Sequence, residues 1–334
     1  MTDIARRAGV TKGAVSFALN GKRGVSEHTR KRVLAIAEEL GWQPNSAARA
    51  LSDGRAGSYG LVVDRPARIL GIEPFFMSLI SGMQTELSGK GVALLFTVAE
   101  DAAAQIATHR EWWARRRVDG VFLVDVRFDD PRIADLEELG LPAVVIGPPA
   151  GSGGLPAVWS DEGSAVRLAL SHFAELGHRN VARVAGPAGF VHTQLRGDAF
   201  RTVAAELGLR TTTIEADYTG EQGAAATREL LERPDRPTAV LYDNDVMAVS
   251  GLSAAHHLGV RVPEEISMVA WDDSALCELI RPGLTALRRD IADYGARAAR
   301  LLGEVVAGNE VEDLQVAEMS LVERGSTAAA PSDG

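Results

Sequence analysis

Two apolar runs in the chain end in groups that could hold a polyhydroxylated ligand. AVLYDN closes on Asn244, and SMVAWDD closes on Asp272 and Asp273. A carboxylate at a strand end accepts paired hydroxyls, so Asp272 is a ligand candidate, while Asp273, one residue on, faces the other side. Asn244 is the better candidate of the Asn244–Asp245 pair. Tyr218 and Trp271 could each present an aromatic face to a pyranose or a base. These groups bind; they do not react. There is no nucleophile elbow, P-loop or HExxH, and the adjacent acids of WDD cannot converge, so no enzyme is expected. His256 and His257 point about 100° apart on a helix and cannot share a metal. No metal or cofactor is expected. Cys277, the single cysteine, excludes an internal disulfide, suits a reducing cytoplasm and reads as a small buried side chain.

Such groups need a frame, and the chain after Arg55 supplies one. Residues 58–64, 92–98 and 118–126 read as strands, with amphipathic helices at 77–91 and 102–117 between them. RIADLEELG and PAVVIG continue the rhythm through 147, and a second series follows to a long helix at 293–308. Near-continuous apolar strands between amphipathic helices predict parallel sheets covered on both faces. Two successive sheets predict a ligand cleft at their carboxyl ends. GSGG at 151–154 follows Pro148-Pro149 and leads into no helix, so it reads as a flexible loop and not a dinucleotide turn.

The first 55 residues are different. Ile4, Ala5 and Ala8 have helical spacing before Gly9. Thr11 can cap a second helix with Val15, Ala18 and Leu19 inward. Ser26 opens a third, with Val33, Ile36, Ala37 and Leu40 on its apolar side. Two short helices on a glycine turn, buttressed by a third, predict a helix-turn-helix head whose second helix enters a major groove. Residues 1–55 hold ten Lys/Arg against five Asp/Glu, a net of +5, whereas the whole chain carries −10. A basic head on an acidic body confines polyanion binding to the head. No run approaches the ~18 apolar residues of a membrane span, and Arg6 and Arg7 interrupt any signal core, so a cytoplasmic, nucleoid-associated protein is expected.

Head and body together resemble the lactose/galactose repressor (LacI/GalR) family of bacterial transcription regulators. The matching residues are D-I-A-x-x-A-G-V-[ST]-x-x-x-V-S from Asp3, then L-N-G, V-S-x-x-T-R, E-L-G-x-x-P-N and A-R-A-L. Pro74-Phe75-Phe76, E-L-G-H, R-x-x-A-F from Arg196, Asn244-Asp245, V-P-E-E-I-S and W-D-D follow in order. The resemblance implies a body with the fold of periplasmic sugar-binding proteins. It also implies a homodimer on a pseudo-palindromic operator, gripping or releasing DNA when a metabolite enters the cleft. The divisions expected are a helix-turn-helix domain at 1–44, a hinge helix at 45–56 and a two-lobed body at 57–325. Lobe 1 takes about 57–158 and 288–316, lobe 2 about 159–287 and 317–325, and 326–334 form a disordered tail.

Carried over residue by residue, Lys12, Gly13, Ser16 and Phe17 face the groove, and Thr11, Asn20, Thr29, Arg30 and Asn45 contact phosphates. Phe17 stands where many relatives have Arg, so an apolar contact with a thymine methyl replaces a bidentate guanine contact. The family's capping Thr would fall before Met1, so the first helix is expected to fray or the start to lie upstream. In the hinge, Ala47, Ala48 and Ala50 allow close helix approach, and Leu51 projects as a wedge that unstacks a central base step. In the cleft the resemblance places Arg196 on the ligand's hydroxyls or carboxylate. Phe75 and Phe76 would close the lobe 1 edge, with Glu73 in place of a common Asn, and Asp161 and His192 would stand at the mouth. His178 reads as structural. No leucine heptad follows residue 325, which disfavours a coiled-coil tetramer. The expected function is a repressor of carbohydrate-utilisation genes controlled by a small metabolite, a sugar. The alternatives are a corepressor-responsive regulator binding a purine or other non-sugar metabolite, and a solute-binding transport protein, which the basic head and missing signal peptide oppose.

Overall fold

A computed structural model describes residues 1–19, 21, 23–42, 55–65 and 70–331. The chain divides into two compact units, Met1–Ala56 and Gly57–Gly334. Asn20, Asn45, Ala48, Leu51 and the hinge helix lie outside the described residues.

Among its described residues the first unit holds three helices: α1 (Thr2–Ala8), α2 (Lys12–Leu19) and α3 (Glu27–Glu39). Gly9 ends α1 in the left-handed region, φ 62°, where an L side chain would be strained. The Thr11 Oγ1 accepts the Ala14 amide at 3.1 Å and the Ser26 Oγ accepts the Thr29 amide at 3.2 Å, so each following helix starts on a capping oxygen. Met1 precedes α1 without a side-chain cap. Ile4, Ala5, Ala8, Val15, Ala18, Val33 and Ala37 form the core of the unit.

The second unit contains two six-stranded sheets. The first is built from β1 (Ser58–Asp64), β2 (Ala93–Ala99), β3 (Gly120–Val124), β4 (Ala143–Ile146), β5 (Ala157–Trp159) and β11 (Leu314–Gln315). The second uses β6 (Asn180–Ala185), β7 (Arg210–Glu215), β8 (Ala239–Tyr242), β9 (Ser267–Asp272), β10 (Thr285–Arg288) and β12 (Ser320–Val322). Their orders are β11-β5-β4-β3-β1-β2 and β12-β10-β9-β8-β6-β7. Every pairing is parallel except β10 with β12. The chain passes from one sheet to the other after β5, after β10 and after β11. The short strands β5 and β10 were not legible in the sequence.

Helices cover both faces: α4 (Pro74–Ser88), α5 (Ala102–Ala114) and α6 (Pro131–Leu139), then α7 (Glu162–Glu175), α8 (Val191–Glu206) and α9 (Gly220–Glu232). α10 (Asp245–His257), α11 (Ala275–Leu279) and α12 (Ile291–Ala307) complete the set among the described residues. Continuous burial of β3 and β4 matches their apolar runs. α12 returns to the first sheet and meets α4 at backbone distance. A Cβ on Gly82 would overlap the Ala292 carbonyl, and one on Gly295 the Leu79 carbonyl. No helix among the described residues is long and apolar enough to cross a membrane.

The expected disorder after residue 325 does not hold for residues 326–331. Ser326 is fully buried, its Oγ donating to the Met268 carbonyl at 2.6 Å and accepting the Thr285 amide at 2.8 Å. The Ala330 amide reaches the Leu176 carbonyl at 2.8 Å. His178 bonds Thr238 at 2.9 Å, Ser267 at 3.0 Å and the Ala328 carbonyl at 3.2 Å, so it is a structural tie for this segment. Small residues look like a free tail by composition. Here their size lets the backbone lie where buried polar groups of the second sheet need partners.

Candidate functional site

On α2, Val15 and Ala18 turn inward, which leaves Lys12, Gly13 and Phe17 exposed and Ser16 half-buried on the outer face. Phe17 is 43% exposed, a large apolar side chain held out by the helix period and not by any core. Thr11 is exposed at the start of α2, and Thr29 and Arg30 are half-buried at the start of α3. The small unit thus presents a helix N-terminus, a lysine and an aromatic ring on one side.

In the larger unit a cavity lies at the carboxyl ends of both sheets. From the sequence-derived set it is lined by Phe75, Phe76, His192, Arg196, Tyr218, Asn244 and Asp272. Asp161 and Trp271 do not line it. Asp161 caps α7, accepting the Gly163 and Ser164 amides at 2.9 and 3.0 Å. Trp271 is fully buried, its ring centroid 3.9 Å from the Arg196 guanidinium. An inward strand position next to the cavity-lining Asp272 belongs to the core beneath it.

Arg196 is the centre of the lobe 2 wall. Its Nε donates to the Glu162 carboxylate at 2.6 Å and its Nη1 to the Asp243 carbonyl at 3.1 Å. Burial alone would lower its pKa, but Glu162 and Asp243 outweigh that and raise it. Asp243 is itself clamped by Arg183 at 2.8 and 2.6 Å. Arg289, at the crossing after β10, donates to Asp272 at 2.7 Å and to the Ser160 hydroxyl at 3.2 Å. Arg65, at the end of β1, pairs with Asp125 at 2.7 Å. Asp125, Tyr218 and Asp272 have φ of 53°, 68° and 90°, a left-handed conformation that non-glycine residues hold only where surroundings enforce it. Gly186 makes room for Tyr218, since a Cβ there would overlap the phenol.

The candidates have unequal freedom. Asn244 lines the cavity, but its Oδ1 caps α10 through the Met247 amide at 2.8 Å and its Nδ2 donates to the Tyr218 carbonyl at 3.1 Å. The His192 Nε2 meets the Tyr218 hydroxyl at 2.8 Å, and burial followed by the nearby Arg196 and Arg65 lowers its pKa, so the imidazole is neutral. Asp273 points away, held by Arg288 at 2.6 Å and Arg324 at 2.5 Å. Arg65, Glu73, Asp125, Glu162, Asp243, Arg289 and Tyr294 also line the cavity and were not singled out from sequence as ligand-binding residues. The available signal was position: Arg65, Asp125 and Asp243 each follow the carboxyl end of a parallel strand.

Two acids at the meeting of the lobes titrate abnormally. Burial pushes Glu73 up to about 7, and burial followed by the Asp272 charge pushes Asp245 up to about 7. A carboxyl whose folded pKa exceeds its unfolded value holds its proton longer in the native state. Stability therefore falls as pH rises from the ordinary carboxyl range to about 7, and is level above. Glu73→Gln should flatten part of that fall. Its melting temperature relative to the parent should be higher at pH 8 than at pH 5, and an equal difference at both values would contradict the assignment.

Residues 1–45 match the family model described as bacterial regulatory proteins, lacI family, and residues 170–327 match a periplasmic binding protein-like domain. The HTH-type transcriptional regulator CelR of Thermobifida fusca is 33% identical over 97% of this chain and 96% of that protein. The chain belongs to the lacI family. Its relatives are HTH-type transcriptional regulators, not enzymes. Among solved structures, a CelR–cellobiose complex aligns over 97% of this chain and 98% of that one, with 31% identity and a TM-score of 0.74. The lac repressor dimer bound to operator and the anti-inducer ONPF aligns over 98% of each chain, with 26% identity and a TM-score of 0.87.

Proposed function

We propose that this protein is a cytoplasmic transcriptional repressor whose homodimer binds a pseudo-palindromic operator and whose DNA affinity is set by an uncharged saccharide in the inter-sheet cavity. The observation that carries the ligand class is the charge of the wall. Arg65, Arg196 and Arg289 face Glu73, Asp125, Glu162, Asp243 and Asp272. Each guanidinium is already matched by a carboxylate. A phosphorylated sugar or a carboxylate would meet acids without a spare cation, whereas paired Arg–carboxylate edges suit hydroxyls, which both donate and accept. A purine would need an open aromatic face. Of the rings that line the cavity, Phe75 and Tyr294 carry Arg289 at 5.2 and 5.5 Å, and Phe76 and Tyr218 carry Arg65 at 5.7 and 5.5 Å.

Lys12, Gly13, Ser16 and Phe17 read bases in this proposal, Thr11, Asn20, Thr29, Arg30 and Asn45 hold phosphates, and Ala48 and Leu51 serve the hinge. A second copy has apolar surface to cover: Ile72, Met77, Phe96, Val98 and Leu279 are 57%, 59%, 42%, 39% and 76% exposed. The test is a thermal-shift panel of neutral mono- and disaccharides, sugar phosphates, sugar acids and purines on the purified protein. A shift confined to phosphates, acids or purines rejects the ligand class. Deleting residues 1–56 should abolish binding to the DNA upstream of its gene in a mobility-shift assay while leaving the saccharide shift unchanged. A retained DNA complex would reject the role of the head.

A further inference from the structure

Phe190, the residue before α8, is buried in the second lobe with only 4% of its surface exposed. Two guanidiniums of the first lobe face its ring: Arg127 at 5.1 Å from the centroid and Arg65 at 5.2 Å. Beside it the Val191 amide donates to the Val126 carbonyl at 3.0 Å, a backbone bond between the lobes. As the first residue of α8, Val191 has no intrahelical acceptor for that amide, so this bond satisfies it. Gly151 lets the lobes approach here, since a Cβ would lie 2.6 Å from the Val191 Cγ2 and 3.2 Å from the Val126 Cγ2. The GSGG segment, read from sequence as a flexible loop, has Gly151 and Ser152 buried.

The first-lobe jaw is itself braced. The Arg127 amide donates to Asp130 at 3.0 Å, Asp130 pairs with the buried Arg132 at 2.6 Å, and Arg132 donates to the Val124 and Asp125 carbonyls at 3.2 and 3.1 Å. We infer that Phe190, held between Arg65 and Arg127, is a clasp that sets how readily the two lobes part. It acts independently of the three chain crossings. A cation over an aromatic face is attracted by the ring quadrupole, and more strongly when water is excluded, as at this buried ring. Because Arg65 also lines the cavity, one side chain reports ligand to the clasp; this last link alone rests on the proposed ligand site.

The experiment follows hydrogen exchange by mass spectrometry in the full-length, ligand-free protein, reading the peptide that contains Val191. Phe190→Leu keeps an apolar side chain of somewhat smaller volume and removes the ring, and Arg127→Gln removes one cation from a partly exposed position. Each should speed exchange of the Val191 amide by about three- to tenfold, the loss of one such contact. Peptides from β8 and α12 should be unchanged. Arg127→Gln cannot fail by cavity formation, so the test stands even if Phe190→Leu folds poorly. Unchanged exchange at Val191 in Arg127→Gln overturns the clasp, as does acceleration spread evenly through the second lobe. No ligand enters this assay, so its failure leaves the saccharide reading untouched, and failure of the saccharide panel leaves the clasp untouched.

Discussion

Arg196→Ala is expected to weaken saccharide binding strongly while leaving DNA binding without ligand near that of the parent. Removing the guanidinium strips the Glu162 carboxylate and the Asp243 carbonyl of donors in a buried wall. Glu162 keeps the Ser160 hydroxyl at 3.1 Å and Arg289 at 3.6 Å, so the wall persists without Arg196. The ligand loses its own hydrogen bond to a charged donor, about 1.5–3 kcal/mol, and at ~1.4 kcal/mol per decade this is a loss of roughly one to two orders of magnitude in affinity. Arg196→Lys separates charge from shape: it keeps the cation but cannot reach both acceptors, so it should recover only part of the loss. Asp272→Asn removes the charge opposite Arg289, which donates to it at 2.7 Å, and should weaken binding similarly. Calorimetric titration with the saccharide that shifts the parent decides this, beside a mobility-shift assay without ligand. Parent-like titration of both Arg196→Ala and Asp272→Asn would remove the cavity from consideration as the ligand site. Loss of DNA binding alone would assign these residues to lobe architecture.

What was legible in the sequence followed from periodicity and from the chemistry of helix ends. Gly9, Thr11 and Ser26 mark the head's helices because a left-handed turn and two capping oxygens are local requirements. The strands at 58–64 and 120–124 announced a buried parallel sheet because burial on both faces demands unbroken apolar runs. Arg196 and Asp272 were legible because each belongs to an ordered motif, R-x-x-A-F and W-D-D. Trp271 and Asp161 lie off the cavity because a strand alternates faces, which turns Trp271 into the core, and a helix start consumes its capping side chain, here that of Asp161. Arg65, Asp125 and Arg289 were missed because their meaning lies in pairs formed across the fold, Arg65 with Asp125 and Arg289 with Asp272. No local pattern encodes such a pair. The tail failed by the same logic: small residues carry no periodic signal, and their burial depends on a groove that only the assembled second sheet provides.

Gly82→Ala is expected to destabilise the protein by roughly 2–4 kcal/mol, although alanine is the better helix former by about 1 kcal/mol. Gly82 on α4 and Gly295 on α12 face each other's backbones, and an added Cβ at either overlaps a carbonyl of the opposite helix. A flexible side chain could move aside; a backbone carbonyl within a helix cannot, so the two helices must separate and open the core between them. That core includes Leu79, Met83, Ala298, Ala299 and Leu302, all nearly or fully buried, so separation loses packing along both helices. Gly295→Ala should cost a similar amount. Because the two substitutions force the same separation, the double variant should lose less than the sum of the singles. Gly303, on the same α12, is the internal control: a Cβ there would come no nearer than 3.6 Å to its neighbour, the Tyr59 hydroxyl. Gly303→Ala should therefore follow helix propensity and stabilise by up to ~1 kcal/mol. Urea unfolding of the three single variants and the double variant measures these signs directly. If Gly82→Ala and Gly303→Ala both stabilise, α4 and α12 do not meet at backbone distance, and the packing of the first lobe described above is wrong.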